Sequence, residues 1–200
     1  MVQEGVGEDG SFNIRREEVV NNFYQIAPGY AITGPEREWL RSTVLGIAIQ
    51  FPRPVVVNIG VAQGATMHCL RSGAPIAQLF GVDIDYKSIS VQREEELEAT
   101  MIEGDSNMCH VDFHLGIHFL FMDGDHHYPV IKADIEGWAH KVVLGGVLGF
   151  HDYSPCIRDL QSMPYLAGVK KAVDEWMVLE SVCWRRLQTP DSICAFKRVS

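Results

Sequence analysis

Five short apolar runs, VVVNI (55–59), QLFGVD (78–83), TMIE (100–103), IHFLFMD (117–123) and GVLGFHD (146–152), recur along the chain with helix-forming stretches between them. Continuous apolar runs of this length suit strands buried on both faces, and such strands belong to parallel sheets covered by helices. The intervening stretches 65–71, 86–98, 129–142 and 167–179 supply those helices. Alternation of this kind predicts βαβ units with right-handed crossovers, hence an α/β fold with a doubly wound, mostly parallel sheet. Upstream, GPEREWLRSTVLGIAIQ has Pro35 at a first helical position and Trp39, Leu40, Val44, Leu45 and Ala48 at helical spacing. A further helix is expected within 13–24, after a loose acidic and Gly-rich start over 1–11. Downstream, VCWRRLQ and ICAFKRV, separated by TPDS, predict a closing antiparallel hairpin. Residues 1–50 are therefore expected to be a helical extension of the same domain, with 51–200 forming its main body.

Charge narrows the partners. Seventeen basic against 26 acidic side chains give a net charge of −9, with no basic cluster larger than a pair. A nucleic-acid footprint needs the opposite, so a small uncharged or cationic ligand is expected. The five cysteines, Cys69, Cys109, Cys156, Cys183 and Cys194, form no C-x-x-C pair and read as reduced thiols of a cytoplasmic protein. The opening MVQEGVGEDGSF lacks the apolar core of a signal peptide, and the stretch 54–70 carries Asn58, Gln63 and two glycines, which fits a strand, turn and helix better than a membrane span.

In VVVNIGVAQGAT, Gly60 and Gly64 follow the first strand and precede a helix. Glycines there let backbone approach a ligand, although a tight strand-to-helix turn alone would also use them. The spacing is G-x-x-x-G, without the middle glycine of a pyrophosphate-binding turn, which argues against NAD. Asp83, at the end of the second strand in GVDID, lies where a carboxylate accepts both hydroxyl protons of a ribose; a solvated strand end is the alternative. The pair calls for a nucleoside without a pyrophosphate.

A second cluster follows the fourth and fifth strands. Asp123 ends one and His151 with Asp152 ends the other, so adjacent strands would deliver all three to one crevice. Carboxylate oxygens suit Mg²⁺ or Ca²⁺, and an imidazole shifts the preference toward Mn²⁺, Fe²⁺ or Zn²⁺. His126, and less readily its neighbour His127, could take a hydroxyl proton; Asp125 is expected to cap the following helix. His110, His114 and His118 recur every four residues, but Gly116 interrupts any helix between them, so no metal stripe is expected. Trp138, Trp176 and Trp184 read as core or rim aromatics, Tyr153 as either a substrate contact or packing, and 155–164 as part of a substrate wall.

Taken in order and spacing, NIGVAQGAT, GVDID, IEGDS, FMDGDHHY and GGVLGFHDY resemble the class I S-adenosylmethionine-dependent methyltransferases over about residues 55–153. Within them, the DGDHHY and HDY pair is most similar to the small-molecule O-methyltransferases of sugars and polyketides, a group that includes cephalosporin-hydroxylase-like proteins. This resemblance implies a Rossmann-like seven-stranded sheet of order 3-2-1-4-5-7-6 and S-adenosylmethionine as cofactor. Gly60 and Gly64 would line its methionine part, Asp83 with the adjoining Ile84 would hold the ribose side, and Asp105 with Ser106 would edge the adenine. Asn58 stands where relatives carry an acid, its carbonyl oxygen still able to accept from an ammonium. The resemblance also matches Asp123 and Asp152 to the positions that hold a divalent ion in metal-dependent O-methyltransferases; Mg²⁺ or Mn²⁺ is expected on Asp123, His151 and Asp152, and Asp123 and His126 are the expected catalytic residues. His151 sits where relatives carry an acid or amide. The expected reaction is O-methylation of a small hydroxylated molecule, a sugar, polyketide or catechol-like compound, without nucleic acid or membrane partners and with a homodimer as the common assembly. The rival readings are a cofactor-binding regulatory protein without turnover, and a metal-dependent hydrolase or oxygenase using the Asp/His cluster.

Overall fold

The computed structural model describes residues 32–85, 97–155 and 157–200. The expected first helix within 13–24, nearly all of the expected helix 86–98, and Cys156 lie outside the described residues.

All five residues of β1 (Val55–Ile59) are buried, as expected of a strand covered on both faces. Its odd positions, Val55, Val57 and Ile59, pack with α4 (Tyr128–Trp138) and α6 (Ala167–Glu180) through Ile131, Ile135, Val169 and Val173. Val56 faces the opposite layer, made by α1 (Gly34–Gln50) and α2 (Ala65–Gly73) with Leu40, Val44, Met67 and Leu70. Period-two alternation of the strand thus separates two apolar layers around one sheet.

That sheet has seven strands in the order β3-β2-β1-β4-β5-β7-β6. β2 (Gln78–Asp83), β3 (Thr100–Glu103), β4 (Ile117–Met122) and β5 (Val142–Phe150) run parallel to β1. The hairpin β6 (Trp184–Arg186) and β7 (Cys194–Arg198) closes the sheet antiparallel against β5. The described remainder includes α3 (Ser106–Cys109) and α5 (Ile157–Ser162). Among the described residues no helix is long and apolar enough to cross a membrane, and Cys109, Cys183 and Cys194 are thiols.

The strand expected over 146–152 begins four residues earlier, at Val142, and stops at Phe150. Correspondingly, the helix expected over 129–142 ends at Trp138, and a 3₁₀ turn, Ala139–Lys141, leads into the sheet. Two β-branched residues, Val142 and Val143, open the strand, and Val142 pairs with Ile117 before the ladder shifts register by Phe119. Gly145, at φ 83°, supplies the left-handed residue this irregularity needs.

Thr33 caps α1 with a reciprocal capping box: its hydroxyl accepts from the Glu36 amide at 3.3 Å, and Glu36 accepts from the Thr33 amide at 2.9 Å. The Thr33 hydroxyl also donates to Asp191 at 2.5 Å. Thr33→Ala is expected to cost about 1 kcal/mol, read as a lower urea midpoint with an unchanged slope.

The ladder continues one step past the strand ends. Gly60 donates to the Val82 carbonyl at 2.8 Å, Asp123 to the Ile59 carbonyl at 2.8 Å, and His151 to the Met122 carbonyl at 3.0 Å. These bonds line up the residues that follow β1, β4 and β5 along the carboxyl edge, where open α/β sheets bind their ligands.

Candidate active site

Gly60 lies against the end of β4 so closely that a β-carbon there would fall 2.1 Å from the Asp123 carbonyl oxygen. Its φ of 81°, with Ala62 at 45° and Gly64 at 86°, folds the turn between β1 and α2 through three left-handed residues. Asp83 holds that turn: one carboxylate oxygen accepts from the amides of Val61 at 2.7 Å and Ala62 at 2.9 Å, the other from Asp85 at 3.0 Å. Next to it Ile84 is 75% exposed, a large apolar side chain at the open end of β2. Asn58 is wholly buried beneath the turn; its amide nitrogen donates to the Gly60 carbonyl at 2.8 Å, and its side-chain oxygen has no partner.

Gly104 donates to the Asp83 carbonyl at 2.9 Å and so brings Asp105 and Ser106 to the same edge. Asp105 caps α3, accepting from the Asn107 amide at 2.9 Å, and the Ser106 carbonyl accepts from Trp138 Nε1 at 3.0 Å. Beside Ser106 lies Asp134, a carboxyl that no motif singles out. It is 1% exposed, and one of its oxygens has no partner. Burial pushes its pKa up from 3.8 to about 6, reinforced by Asp105 and Asp125 and opposed by a hydrogen bond with Ser106. A folded-state value above the unfolded one means that this group's contribution is favourable below about pH 4 and is lost as the pH rises through about 6. Asp134→Asn should therefore leave stability unchanged near pH 4 and raise it near pH 8 by up to about 3 kcal/mol, since each tenfold change in proton affinity is worth ~1.4 kcal/mol. Guanidinium denaturation of both proteins at the two pH values checks this, and parallel pH profiles would contradict it.

The second cluster assembles at the ends of β4 and β5. Asp123, His126, His151 and Asp152 each present a ligand-type atom, all within 4.8 Å of one another. His126 Nε2 lies 3.1 Å from Asp152 Oδ2 and 3.8 Å from Asp123 Oδ1, while His151 Nδ1 lies 3.1 Å from Asp123 Oδ1 and 3.5 Å from Asp152 Oδ2. His126 Nε2 is buried, and of the two carboxylates it lies nearer to Asp152. Asp152 holds its place at φ 51°, a left-handed conformation that costs of order 1 kcal/mol and recurs at functional sites.

Glu36, at the start of α1, closes the cluster from below, and no motif in the sequence connects it to this edge. It is 1% exposed and accepts from Ser192 through both the amide at 3.1 Å and the hydroxyl at 2.6 Å. Its other oxygen is 3.5 Å from His151 Nε2. Burial works against its charge, but hydrogen bonds from His151, Ser192 and Thr33 pull its pKa down to about 2. Burial likewise opposes a charged His151, yet attraction to Asp123 and hydrogen bonds to Asp123, Asp152 and Glu36 hold its pKa well above the ordinary imidazole value. Asp152, also opposed by burial, is held well below the usual carboxylate range by the His126 and His151 imidazoles.

Asp125 does not cap the first turn of α4 as expected. It accepts from the amide of His127, the residue preceding the helix, at 2.8 Å and pairs with the His127 ring at 2.6 Å, which in turn stacks on Tyr165. His118 lies on β4, where its Nδ1 accepts from the Val55 amide at 3.0 Å, and His110 packs against Gly137, so these two of the histidines spaced by four serve packing. Tyr153 is buried; its hydroxyl donates to Asp174 at 2.7 Å and accepts from Lys170 at 3.0 Å. It forms one wall of an open cleft of about 410 Å³ with Ser154, Pro155 and Leu160. A cavity of about 430 Å³ between α4 and α6, lined by Ile135, Ala172, Trp176 and Trp184, contains none of the titratable cluster.

Residues 57–153, from the middle of β1 to Tyr153, match the family model of a methyltransferase domain. Over this stretch, just under half of its length, the chain is similar to methyltransferase domains. Solved structures with the same fold include the O-methyltransferase NovP (18% identity, TM-score 0.67, covering 98% of this chain and 93% of that one). An O-methyltransferase from Bacillus cereus in complex with S-adenosylhomocysteine aligns at 17% identity and a TM-score of 0.62, over 90% of this chain and 86% of that one. The MycE methyltransferase, in complex with Mg, S-adenosylhomocysteine and mycinamycin VI, aligns at 15% identity and 0.58, over 82% of this chain and 55% of that one. The strand order is the one expected of a class I methyltransferase fold, and the fold is shared with these solved structures.

Proposed function

We propose that the protein methylates a hydroxyl oxygen of a small molecule, with a divalent cation held at the end of β4 and β5. The observation that carries this reading is the convergence of Asp123, His126, His151 and Asp152 on one point of the carboxyl edge, where Asp123 abuts the glycine turn at Gly60. S-adenosylmethionine would supply a methyl already activated on a sulfonium, so the protein's task is to present an oxygen in line with it. The fit on the cofactor side rests on the unpaired Asn58 oxygen, an acceptor suited to the amino group, and on Asp83 and exposed Ile84 at the ribose and adenine side, with Asp105 and Ser106 farther along. Gly60 and Gly64 shape the turn along the methionine part.

Asp123, His151 and Asp152 offer the donors for a cation, and a divalent ion there would lower the pKa of a bound hydroxyl and fix two neighbouring oxygens. His126 Nε2, 3.1 Å from Asp152 Oδ2 and 3.8 Å from Asp123 Oδ1, faces the cluster; a neutral imidazole with its proton on Nδ1 would accept the hydroxyl proton there as the methyl is transferred from sulfur to oxygen. Asp123 and Asp152, both beside that nitrogen, stabilise the imidazolium that results. Sugars, polyketides and catechol-like compounds carry the vicinal oxygens such a site would grip. The match to a methyltransferase domain favours this chemistry over hydrolysis or oxygenation.

Calorimetric titration with S-adenosylhomocysteine tests the cofactor half: binding is expected, weakened about tenfold or more in Asp83→Ala through loss of a charge-assisted contact. Transfer of labelled methyl to a panel of diols and phenols with Mg²⁺ or Mn²⁺ present tests the rest. Binding without transfer across that panel would favour a regulatory protein, and no binding at millimolar ligand would overturn the assignment.

A further inference from the structure

The cation site proposed above differs from an all-oxygen site in one respect: an imidazole stands between its two carboxylates, and that imidazole is itself held from behind. Glu36 is fixed in place through Oε1, which accepts from the Ser192 amide and hydroxyl at 3.1 and 2.6 Å, and through Oε2, which accepts from the Thr33 amide at 2.9 Å and lies 3.5 Å from His151 Nε2. A carboxylate only accepts. The His151 Nε2 proton therefore points to Glu36, while Nδ1 faces Asp123 and Asp152 at 3.1 and 3.5 Å and would give up its own proton on binding a cation. A carboxylate behind an imidazole that faces a ligand cluster is the outer-shell arrangement that fixes the tautomer and raises the basicity of a metal-binding histidine. A capping box alone does not call for it, because a capping glutamate works on an exposed helix start, whereas Glu36 is 1% exposed and reaches across to the hairpin and the β5 end.

Donor spacing agrees. Ligands of a first-row ion bound at ~2.0–2.2 Å to nitrogen and oxygen lie about 3–3.5 Å apart, which is the range found between His151 Nδ1 and the two carboxylate oxygens. Mg²⁺ gains little from such a site, since it prefers oxygen donors and several retained waters.

Resting on the cation reading of this site, we infer that Glu36 is a positioning residue that acts through His151 to make the site selective for a transition metal such as Mn²⁺, Co²⁺ or Zn²⁺ over Mg²⁺. The test needs no turnover. Metal-free protein is titrated with Co²⁺, followed by its visible absorption, and with Mg²⁺ by calorimetry, with S-adenosylhomocysteine affinity measured separately. Co²⁺ is expected to bind at least about 100-fold more tightly than Mg²⁺. Glu36→Gln should weaken Co²⁺ by about 10- to 100-fold while leaving the affinity for S-adenosylhomocysteine unchanged. His151→Asp, which restores an all-oxygen set, should shift the preference toward Mg²⁺ by about tenfold or more. Mg²⁺ affinity equal to that of Co²⁺, or a folded Glu36→Gln with full Co²⁺ affinity, would overturn the inference. If neither ion binds while S-adenosylhomocysteine does, the cation site itself is refuted and the cofactor site stands.

Discussion

Gly60→Ala is expected to yield little or no folded protein. The added β-carbon would lie 2.1 Å from the Asp123 carbonyl oxygen, 2.4 Å from its carbon and 2.6 Å from Gly124 Cα, and all three are backbone atoms. No rotamer change relieves such a clash. The Asp123 amide is tied to the Ile59 carbonyl at 2.8 Å, so making room means parting β1 from β4 at the centre of the sheet. Strain at φ 81° adds to this. Together these place the cost above about 4 kcal/mol, a large share of the ~5–15 kcal/mol that holds a domain folded. Gly46→Ala is the control: within α1 its β-carbon would meet nothing within 4 Å, and a gain of about 0.5–1 kcal/mol is expected. Soluble yield and thermal melts of the two variants decide the matter; a Gly60→Ala protein melting like the parent would show that the close approach is wrong.

His126→Ala should lower kcat by about 10²–10⁴-fold, the usual contribution of a positioned general base, with little change in affinity for S-adenosylhomocysteine. His127→Ala serves as its partner experiment, because His127 is 60% exposed and occupied by Asp125 and Tyr165. Its expected effect is within about threefold, in keeping with the small energies of exposed ion pairs. Equal losses in both variants would remove His126 from the proton-accepting role.

Local pattern is enough to place β1, β2, β3 and α1 to the residue, because each is a self-contained signal: an unbroken apolar run between turn residues, or a proline followed by helical spacing. Where the signal is shared between neighbours it misleads. Val142 and Val143 continue the apolar periodicity of α4, and only their pairing with β4 decides that they open β5. At the site, Asp123 and Asp152 are legible as polar residues ending apolar strands. Glu36 is not, since its partners Ser192 and His151 are 156 and 115 positions away and the T-x-x-E pattern of Thr33 and Glu36 signals only a helix start. Asp134 is hidden for a related reason: a lone acid within a helix reads as solvated until packing buries it.

The hairpin order has a consequence for biosynthesis. β7 comes after β6 in the chain but lies inside it in the sheet, directly against β5. Until Cys194–Arg198 has left the ribosome, the apolar β5 therefore stays an unprotected edge, open to pairing with other nascent chains. The segment that carries His151 and Asp152 at its end is thus completed late, and nascent chains stalled before residue 194 are the ones that would depend most on chaperones.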